Sequence, residues 1–306
     1  MTTLVFGHKS PDTDATGSPI IWAWYLNEVK GGEAEAVLLG EPNTEAAFVL
    51  TRWNVPKPRI IEDVEAGQAC VIVDTNNPAE LPASIGGADV RQIIDHHKLA
   101  GGLETKRAID ITIRPLACTA TILYDLIGDD TAKMPDWVRA MALSCILSDT
   151  LEFRSPTTTD HDKAVAEDLA HELGVSIPDY AAELFAAKSD VSAFSDAELL
   201  RMDSKTYEVD GTKFRVSVLE TTAPSIPLDR KAGLMAAMET VAKEDGVDQV
   251  LLFVVDIIAE EATLLVPNDL VKGVAEKSFA ASVDGDTVVL PGIMSRKKQI
   301  IPNLKV

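Results

Sequence analysis

Acidic and imidazole side chains follow short apolar segments at several places in the first half of the chain. The apolar run at residues 3–6 leads through Gly7 into a loop, and the runs at residues 70–73 and 92–94 are each followed at once by an aspartate. Mixed imidazole and carboxylate donors suit manganese, cobalt, iron or zinc better than calcium, which prefers oxygen alone. The candidate metal ligands are His8, Asp12, Asp14, Asp74, His96 and Asp149.

This donor set is large enough for two metal ions that share one carboxylate. Two such ions can hold a bridging water as hydroxide while they bind a phosphoryl oxygen. The set therefore predicts hydrolysis of a phosphoanhydride or a phosphoester, with manganese or cobalt as the expected metal.

Each acidic residue also has a simpler explanation when it is taken alone. An aspartate after a strand often caps a helix or forms a turn. Asp149 follows a predicted helix at residues 137–147, where an unpaired carboxylate is disfavoured by the helix dipole and a cation would explain its presence. Asp95 lies beside two histidines and can orient them instead of binding metal, so it is assigned to catalysis together with His97.

Strands and helices must alternate to position these residues. Helical periodicity at residues 15–28, 44–53, 120–127, 137–147 and 160–173 separates the apolar strands. The pattern predicts an α/β fold with a doubly wound, mostly parallel sheet in a larger N-terminal domain. Ligands bind at the carboxyl ends of the strands in such sheets, so the candidate donors are expected to converge there.

A second, smaller domain of mixed α/β structure is predicted after residue 195. The alternation of strand-like and helix-like segments stops over residues 188–195. The first domain is therefore predicted at residues 1–189, a hinge at 190–195 and the second domain at 196–306. Asp210 and Gly211 lie between two strand-like segments and predict a hairpin, and residues 228–243 predict a helix.

The composition excludes several classes of protein. The chain has 28 basic and 48 acidic side chains, a formal charge of -20, which argues against a nucleic-acid partner. No apolar stretch is long enough to span a bilayer, the N-terminus lacks the features of a signal peptide, and the three cysteines are scattered. A cytoplasmic protein without a membrane partner is therefore expected.

Five motifs resemble those of one enzyme family when they are taken in order. They are Gly7-His8-Lys9-Ser10-Pro11-Asp12-Thr13-Asp14, Val73-Asp74-Thr75-Asn76, Asp95-His96-His97, Ser148-Asp149-Thr150 and Ser295-Arg296-Lys297-Lys298-Gln299. The sequence resembles the manganese-dependent, family II inorganic pyrophosphatases of the DHH phosphoesterase superfamily over nearly its whole length.

The resemblance implies a role for each candidate residue. His8, Asp12 and Asp74 would hold one metal ion, and Asp14, Asp74, His96 and Asp149 would hold the other. His97 would protonate the leaving phosphate, while Lys205, Arg296 and Lys297 would bind the phosphates of pyrophosphate. It also implies two Mn2+ per subunit, with Co2+ or Mg2+ as possible substitutes and further Mg2+ or Mn2+ arriving with the substrate. The enzyme would be a homodimer joined through the N-terminal domain. The placement of the motifs in both domains further predicts that the site lies in a cleft between them.

Two other functions remain open at this point. Another DHH phosphoesterase would cleave short oligonucleotides or nucleoside bisphosphates, but such relatives usually carry a Gly-Gly-Gly-His motif that this chain lacks. A metal-binding module without activity would leave His97 and the cationic run at residues 295–299 unexplained.

Overall fold

The computed structural model describes residues 2–306. The chain forms two compact units, residues 1–187 and 188–306. The segment predicted as a hinge, residues 190–195, contains neither helix nor strand. No helix within residues 2–306 is both long and apolar enough to cross a membrane.

The first unit is built on a sheet of five parallel strands. Their spatial order is β2-β1-β3-β4-β5, so the chain reverses its direction of winding between β1 and β3. This confirms the predicted doubly wound parallel sheet. The strands are β1 (Thr3–Phe6), β2 (Ala34–Ala36), β3 (Ala69–Val73), β4 (Asp89–Asp95) and β5 (Asp110–Ile113).

Six helices accompany this sheet, and five of them fall where the sequence predicted helices. The prediction at residues 15–28 differs most, because the α-helix ends at Trp24 and continues as a π-helical turn, Tyr25–Val29. The helices are α1 (Thr13–Trp24), α2 (Thr44–Arg52), α3 (Thr119–Ile127), α4 (Asp136–Asp149), α5 (Asp160–Leu173) and α6 (Ile177–Lys188).

The two faces of the sheet belong to different hydrophobic cores, because side chains alternate along a strand. Val5, Val71 and Val73 pack with residues of the helices. Phe6 and Ile72 face the other way and pack in a smaller cluster with residues from short 3-10 turns and loops near residues 78–88. Both faces are therefore buried, and the carboxyl ends of β1, β3 and β4 are left as the place where loops can carry polar side chains.

The second unit contains a mixed five-stranded sheet in the order β10-β9-β8-β7-β6, which confirms the predicted mixed α/β class. Only the β7 and β8 pair within this sheet is parallel. The predicted hairpin joins β6 to β7, and Asp210 and Gly211 both have the positive φ angles, 50° and 79°, of a tight hairpin turn. The strands are β6 (Ser204–Val209), β7 (Thr212–Thr221), β8 (Gln249–Asp256), β9 (Glu261–Leu265) and β10 (Thr287–Pro291).

The helices of the second unit vary in length. The helix predicted at residues 228–243 runs from Lys231 to Asp245, because the residues before it complete a short turn that begins at Ser225. A π-helical turn, Arg296–Ile300, carries the basic residues near the end of the chain. The helices are α7 (Asp196–Met202), α8 (Ser225–Leu228), α9 (Lys231–Asp245), α10 (Asp269–Phe279) and α11 (Ile301–Asn303).

Candidate active site

The loop between β1 and α1 passes close to the first turn of the helix at Gly7. A Cβ atom on Gly7 would come within 2.8 Å of the Ala15 side chain, so only glycine fits here. Asp12 caps the helix, since its Oδ1 accepts a hydrogen bond of 2.9 Å from the Ala15 backbone N–H. Its Oδ2 lies 3.7 Å from His8 Nε2, so one carboxylate both starts the helix and faces the imidazole.

Asp74 occupies the centre of the candidate site. It follows β3 directly, is 1% exposed and has the unusual backbone angle φ 59°. Its Oδ2 lies 3.5 Å from His8 Nε2, while its Oδ1 lies 3.3 Å from His96 Nε2 and accepts a hydrogen bond of 3.0 Å from Thr119. Each oxygen of this carboxylate therefore faces a different histidine.

Asp14 and Asp149 approach from the helices. Asp14 is 1% exposed and accepts hydrogen bonds of 2.6 Å from Ser18 Oγ and from the Thr119 backbone N–H. Asp149 ends α4, and its Oδ2 is buried with no hydrogen-bond donor among residues 2–306. His96 Nε2 is 4.0 Å away from that oxygen. A buried carboxylate oxygen without a donor is costly, and a bound cation would satisfy it.

Three groups of side chains could each hold a metal ion, because their donor atoms lie within 4.8 Å of one another. All six ligands predicted from the sequence lie in these groups, and Asp74 and His96 each belong to two of them. The imidazole and carboxylate chemistry suits a transition metal such as manganese. The groups are His8, Asp12 and Asp74; Asp14, His96 and Asp149; and Asp74, His96 and His97.

The crowding of carboxylates shifts several pKa values. Burial by itself lowers the pKa of His8, but the carboxylates of Asp12 and Asp74 outweigh it and raise the pKa to about 9. The pKa values of Asp74 and Asp149 both lie well above the usual range, first because of burial and then because of the charge on Asp14. A divalent cation would therefore compete with a proton for the His8 imidazole.

His97 is held by Asp95 at the end of β4. Asp95 is fully buried, and its Oδ1 accepts hydrogen bonds from the His97 backbone N–H at 3.0 Å and from His97 Nδ1 at 2.9 Å. Asn76 donates to the other oxygen at 2.5 Å. Burial would raise the pKa of Asp95, but the hydrogen bonds from His97 and Asn76 lower it below the ordinary value. Asp95 therefore orients the His97 ring, as the sequence suggested for an acid in this place.

Sequence reasoning missed the residues that support this centre. Thr119 donates to Asp74 through its hydroxyl and to Asp14 through its backbone N–H. Asp162, fully buried in α5, accepts from the Ala117 backbone N–H at 3.0 Å and from Thr121 Oγ1 at 2.7 Å, so it fixes the segment that carries Thr119. Asp162 is visible in the sequence only as an acid at the start of a helix.

The three cations predicted to bind phosphate line one cavity of about 740 Å³ within the second unit. Lys205 lies on β6, while Arg296 and Lys297 lie on the terminal π-helical turn. Arg296 donates to the Asp203 backbone oxygen at 2.8 Å and to Asp203 Oδ1 at 2.7 Å. The other lining residues are Asp203, Tyr207, Val218, Glu220, Ile257, Met294, Ser295 and Ile301.

Two protein families match successive parts of the chain, and five of the six candidate metal ligands lie in the first part, which ends one residue before Asp149. Residues 2–148 match the N-terminal domain of the DHH family, and residues 182–306 match the DHHA2 domain. A protein of Deinococcus radiodurans that is named a manganese-dependent inorganic pyrophosphatase is 39% identical over 306 residues, covering 98% of this chain and 97% of its own. The chain belongs to this pyrophosphatase family.

Other members of the pyrophosphatase family are similar over the same length. A protein of Lactobacillus acidophilus that carries the same name is 34% identical over 303 residues, which is 98% of this chain and 97% of its own. The crystal structure of a protein from Methanococcus jannaschii, named a family II inorganic pyrophosphatase, matches with a TM-score of 0.63 and 32% identity over 99% of this chain and 98% of its own. The chain therefore contains both a DHH and a DHHA2 domain.

Proposed function

We propose that this chain hydrolyses inorganic pyrophosphate to two phosphates with the help of manganese. The observation that carries the proposal is the position of Asp74, which presents one carboxylate oxygen to His8 at 3.5 Å and the other to His96 at 3.3 Å. A carboxylate placed in this way can serve two metal ions at once. The family membership supports pyrophosphate as the substrate.

The proposed ligands form two sets that share Asp74. We assign two Mn2+ per subunit, with Co2+ or Mg2+ as substitutes and further Mg2+ or Mn2+ entering with the substrate. When bound, such ions supply an acidified water as nucleophile and positive charge for the phosphoryl oxygens. One set is the group His8, Asp12 and Asp74, and the other adds Asp74 to the group Asp14, His96 and Asp149.

The protein side chains would bind and neutralise the substrate. Phosphoryl transfer needs little covalent chemistry from the protein and depends on positioning and on charge stabilisation. Arg296 offers a planar fork of donors, and Lys205 and Lys297 offer point charges, on the wall of one cavity. His97, oriented by Asp95, would hold the proton that the leaving phosphate accepts.

The proposed metal ligands belong to one unit and the proposed phosphate-binding cations to the other. The cleft and the closure expected from the sequence stay predictions. Solution scattering with and without a nonhydrolysable pyrophosphate analogue tests them, and identical profiles would argue against them. Assembly as a homodimer through the N-terminal domain and residence in the cytoplasm stay predictions.

The deciding experiment measures phosphate release by protein that is stripped of metal and reloaded with manganese. Pyrophosphate, a short oligonucleotide and a nucleoside bisphosphate are supplied at matched concentrations. We expect rapid release from pyrophosphate alone. Activity on the nucleotides alone would identify a different DHH phosphoesterase, and no activity on any of the three would favour a metal-binding module.

A further inference from the structure

A fully buried glutamate connects two helices that carry proposed metal ligands. Glu45 is the second residue of α2 and has an exposed fraction of 0%. Its Oε2 atom accepts a hydrogen bond of 2.8 Å from Thr13 Oγ1 and another of 2.6 Å from Ser148 Oγ. A single oxygen atom thus joins α1 to α4 through α2.

The two hydroxyl donors are direct neighbours of proposed ligands in the chain. Thr13 lies between Asp12 and Asp14, and Ser148 immediately precedes Asp149. Any displacement of Thr13 relative to Ser148 would therefore change the separation of carboxylates that must bind the same pair of ions. Glu45 itself belongs to none of the three groups of candidate ligands within residues 2–306.

The start of α2 is well suited to hold this connection rigidly. Asn43 caps the helix through its side chain, and its backbone N–H donates to the Pro11 carbonyl at 2.9 Å. An acidic side chain in the first turn also interacts favourably with the helix dipole. The loop that bears Asp12 is therefore attached to α2 by a backbone hydrogen bond as well as through Glu45.

We propose that Glu45 is a positioning residue that fixes the distance between the Asp12–Asp14 segment and Asp149 and thereby sets the affinity for manganese. The inference rests on the metal-binding part of the proposed function. Groups that orient metal ligands without touching the metal typically change metal affinity by about 10- to 100-fold when they are removed. Removal of either hydroxyl that donates to Glu45 is expected to weaken Mn2+ binding within the same range.

The test uses the full chain and removes the two hydroxyl donors separately. Thr13→Val and Ser148→Ala should each weaken Mn2+ binding by about 10-fold or more. Both hydroxyls act through the same oxygen. The fold-loss of Mn2+ affinity in the double variant should therefore be smaller than the product of the fold-losses in the two single variants. The dissociation constant for Mn2+ is measured by titration calorimetry on metal-free protein, with a thermal melt of each variant to confirm folding.

Matched controls are available on the same two helices. Thr16 is buried on α1, and its hydroxyl has no hydrogen-bond partner among residues 2–306, so Thr16→Val makes the same chemical change without breaking a contact. Ser144 lies one turn before Ser148 on α4 and bonds to the Ala140 carbonyl and to Tyr180 instead of Glu45. Thr16→Val and Ser144→Ala should bind Mn2+ as the unaltered protein does.

Changes at Glu45 separate hydrogen bonding from charge. Glu45→Ala should lose at least as much affinity as either single donor variant, whereas Glu45→Gln retains an oxygen that can accept from both hydroxyls and should keep most of the affinity. Equal losses in Glu45→Gln and Glu45→Ala would overturn the proposed role in positioning. Unchanged affinity in Thr13→Val and Ser148→Ala, or equal losses in their controls, would also overturn it. Failure of the unaltered protein to bind Mn2+ would instead reject the proposed function.

Discussion

His97 owes its orientation to one buried carboxylate. Asp95 uses one oxygen to accept two hydrogen bonds from His97 and the other to accept from Asn76, so its side chain cannot turn without losing a contact. This arrangement differs from that of the proposed metal ligands Asp12, Asp74 and Asp149, whose carboxylates face histidine Nε2 atoms at 3.3 to 4.0 Å. Asp95 is therefore expected to affect proton transfer more than metal binding.

We expect Asp95→Asn to lower kcat by about 100-fold while the Mn2+ content stays unchanged. The amide would direct an N–H group at either His97 or Asn76, where only an acceptor fits. Steady-state phosphate release and the metal content of the purified protein check this. Asp89→Asn is the control, since Asp89 lies at the opposite end of β4 and pairs with Arg91 and Arg107. Loss of metal in Asp95→Asn would contradict the assignment.

Manganese binding should release protons, and its affinity should rise with pH. The pKa of His8 is raised to about 9, so this imidazole is protonated at neutral pH and must lose its proton to become a ligand. Raising the pH toward that value removes the competing proton and strengthens binding. Calorimetry at one pH in buffers of different ionisation enthalpy measures the protons released. Identical heats in all buffers would contradict the prediction.

The terminal π-helical turn and the start of β6 carry the basic residues of the cavity lined by Lys205, Arg296 and Lys297. The two hydrogen bonds between Arg296 and Asp203 hold the turn close to the strand that carries Lys205. The positions of these cations therefore depend on the packing of two elements that are about 90 residues apart in the chain. Basic residues outside this cavity should matter much less.

Arg296→Ala should raise KM for pyrophosphate by about 10-fold or more, because the guanidinium could no longer donate charge-assisted hydrogen bonds to a phosphate. The affinity for Mn2+ should stay the same, since the proposed ligands belong to the other unit. Lys298→Ala is a matched control, because Lys298 is exposed on the same turn and does not line the cavity. An equal rise in KM for both variants would indicate a general effect of charge.

The elements could be predicted from the sequence where local signals agree with the tertiary structure. The predicted limits of α5 are confirmed at both ends, because Thr159 and Asp162 form a capping box and Gly174 adopts the left-handed conformation after the last turn. The candidate ligands could also be found, since they follow apolar strands in a recognisable order. Glu45 and Asp162 could not be recognised from the sequence, because each is an acidic residue in the first turn of a helix, where acidic residues are common. Only their burial between helices distinguishes them.

Each unit has hydrophobic clusters of its own, and the proposed metal ligands belong to the first unit alone. A ligand that binds only the folded state stabilises it by about 2.7 kcal/mol at 100 times its dissociation constant. Manganese is therefore expected to stabilise the first unit selectively.

Calorimetric melts of the metal-free and manganese-loaded protein should show an upward shift in the transition of the first unit only. Asp74→Ala should abolish this shift, since the variant lacks the carboxylate shared by both proposed ligand sets. An equal shift of every transition, or a shift that survives Asp74→Ala, would contradict the prediction.

The all-parallel sheet of the first unit also determines when its ligands can meet during biosynthesis. Parallel strands cannot pair through a tight turn, and β1 pairs with β3 in a register that joins Val5 to Val71. His8 and Asp74 consequently come together only after some seventy residues have left the ribosome, and Asp149 arrives later still. Contacts so distant in sequence form slowly. We expect the nascent chain to acquire its high affinity for manganese only late in synthesis, when most of the first unit is available to fold.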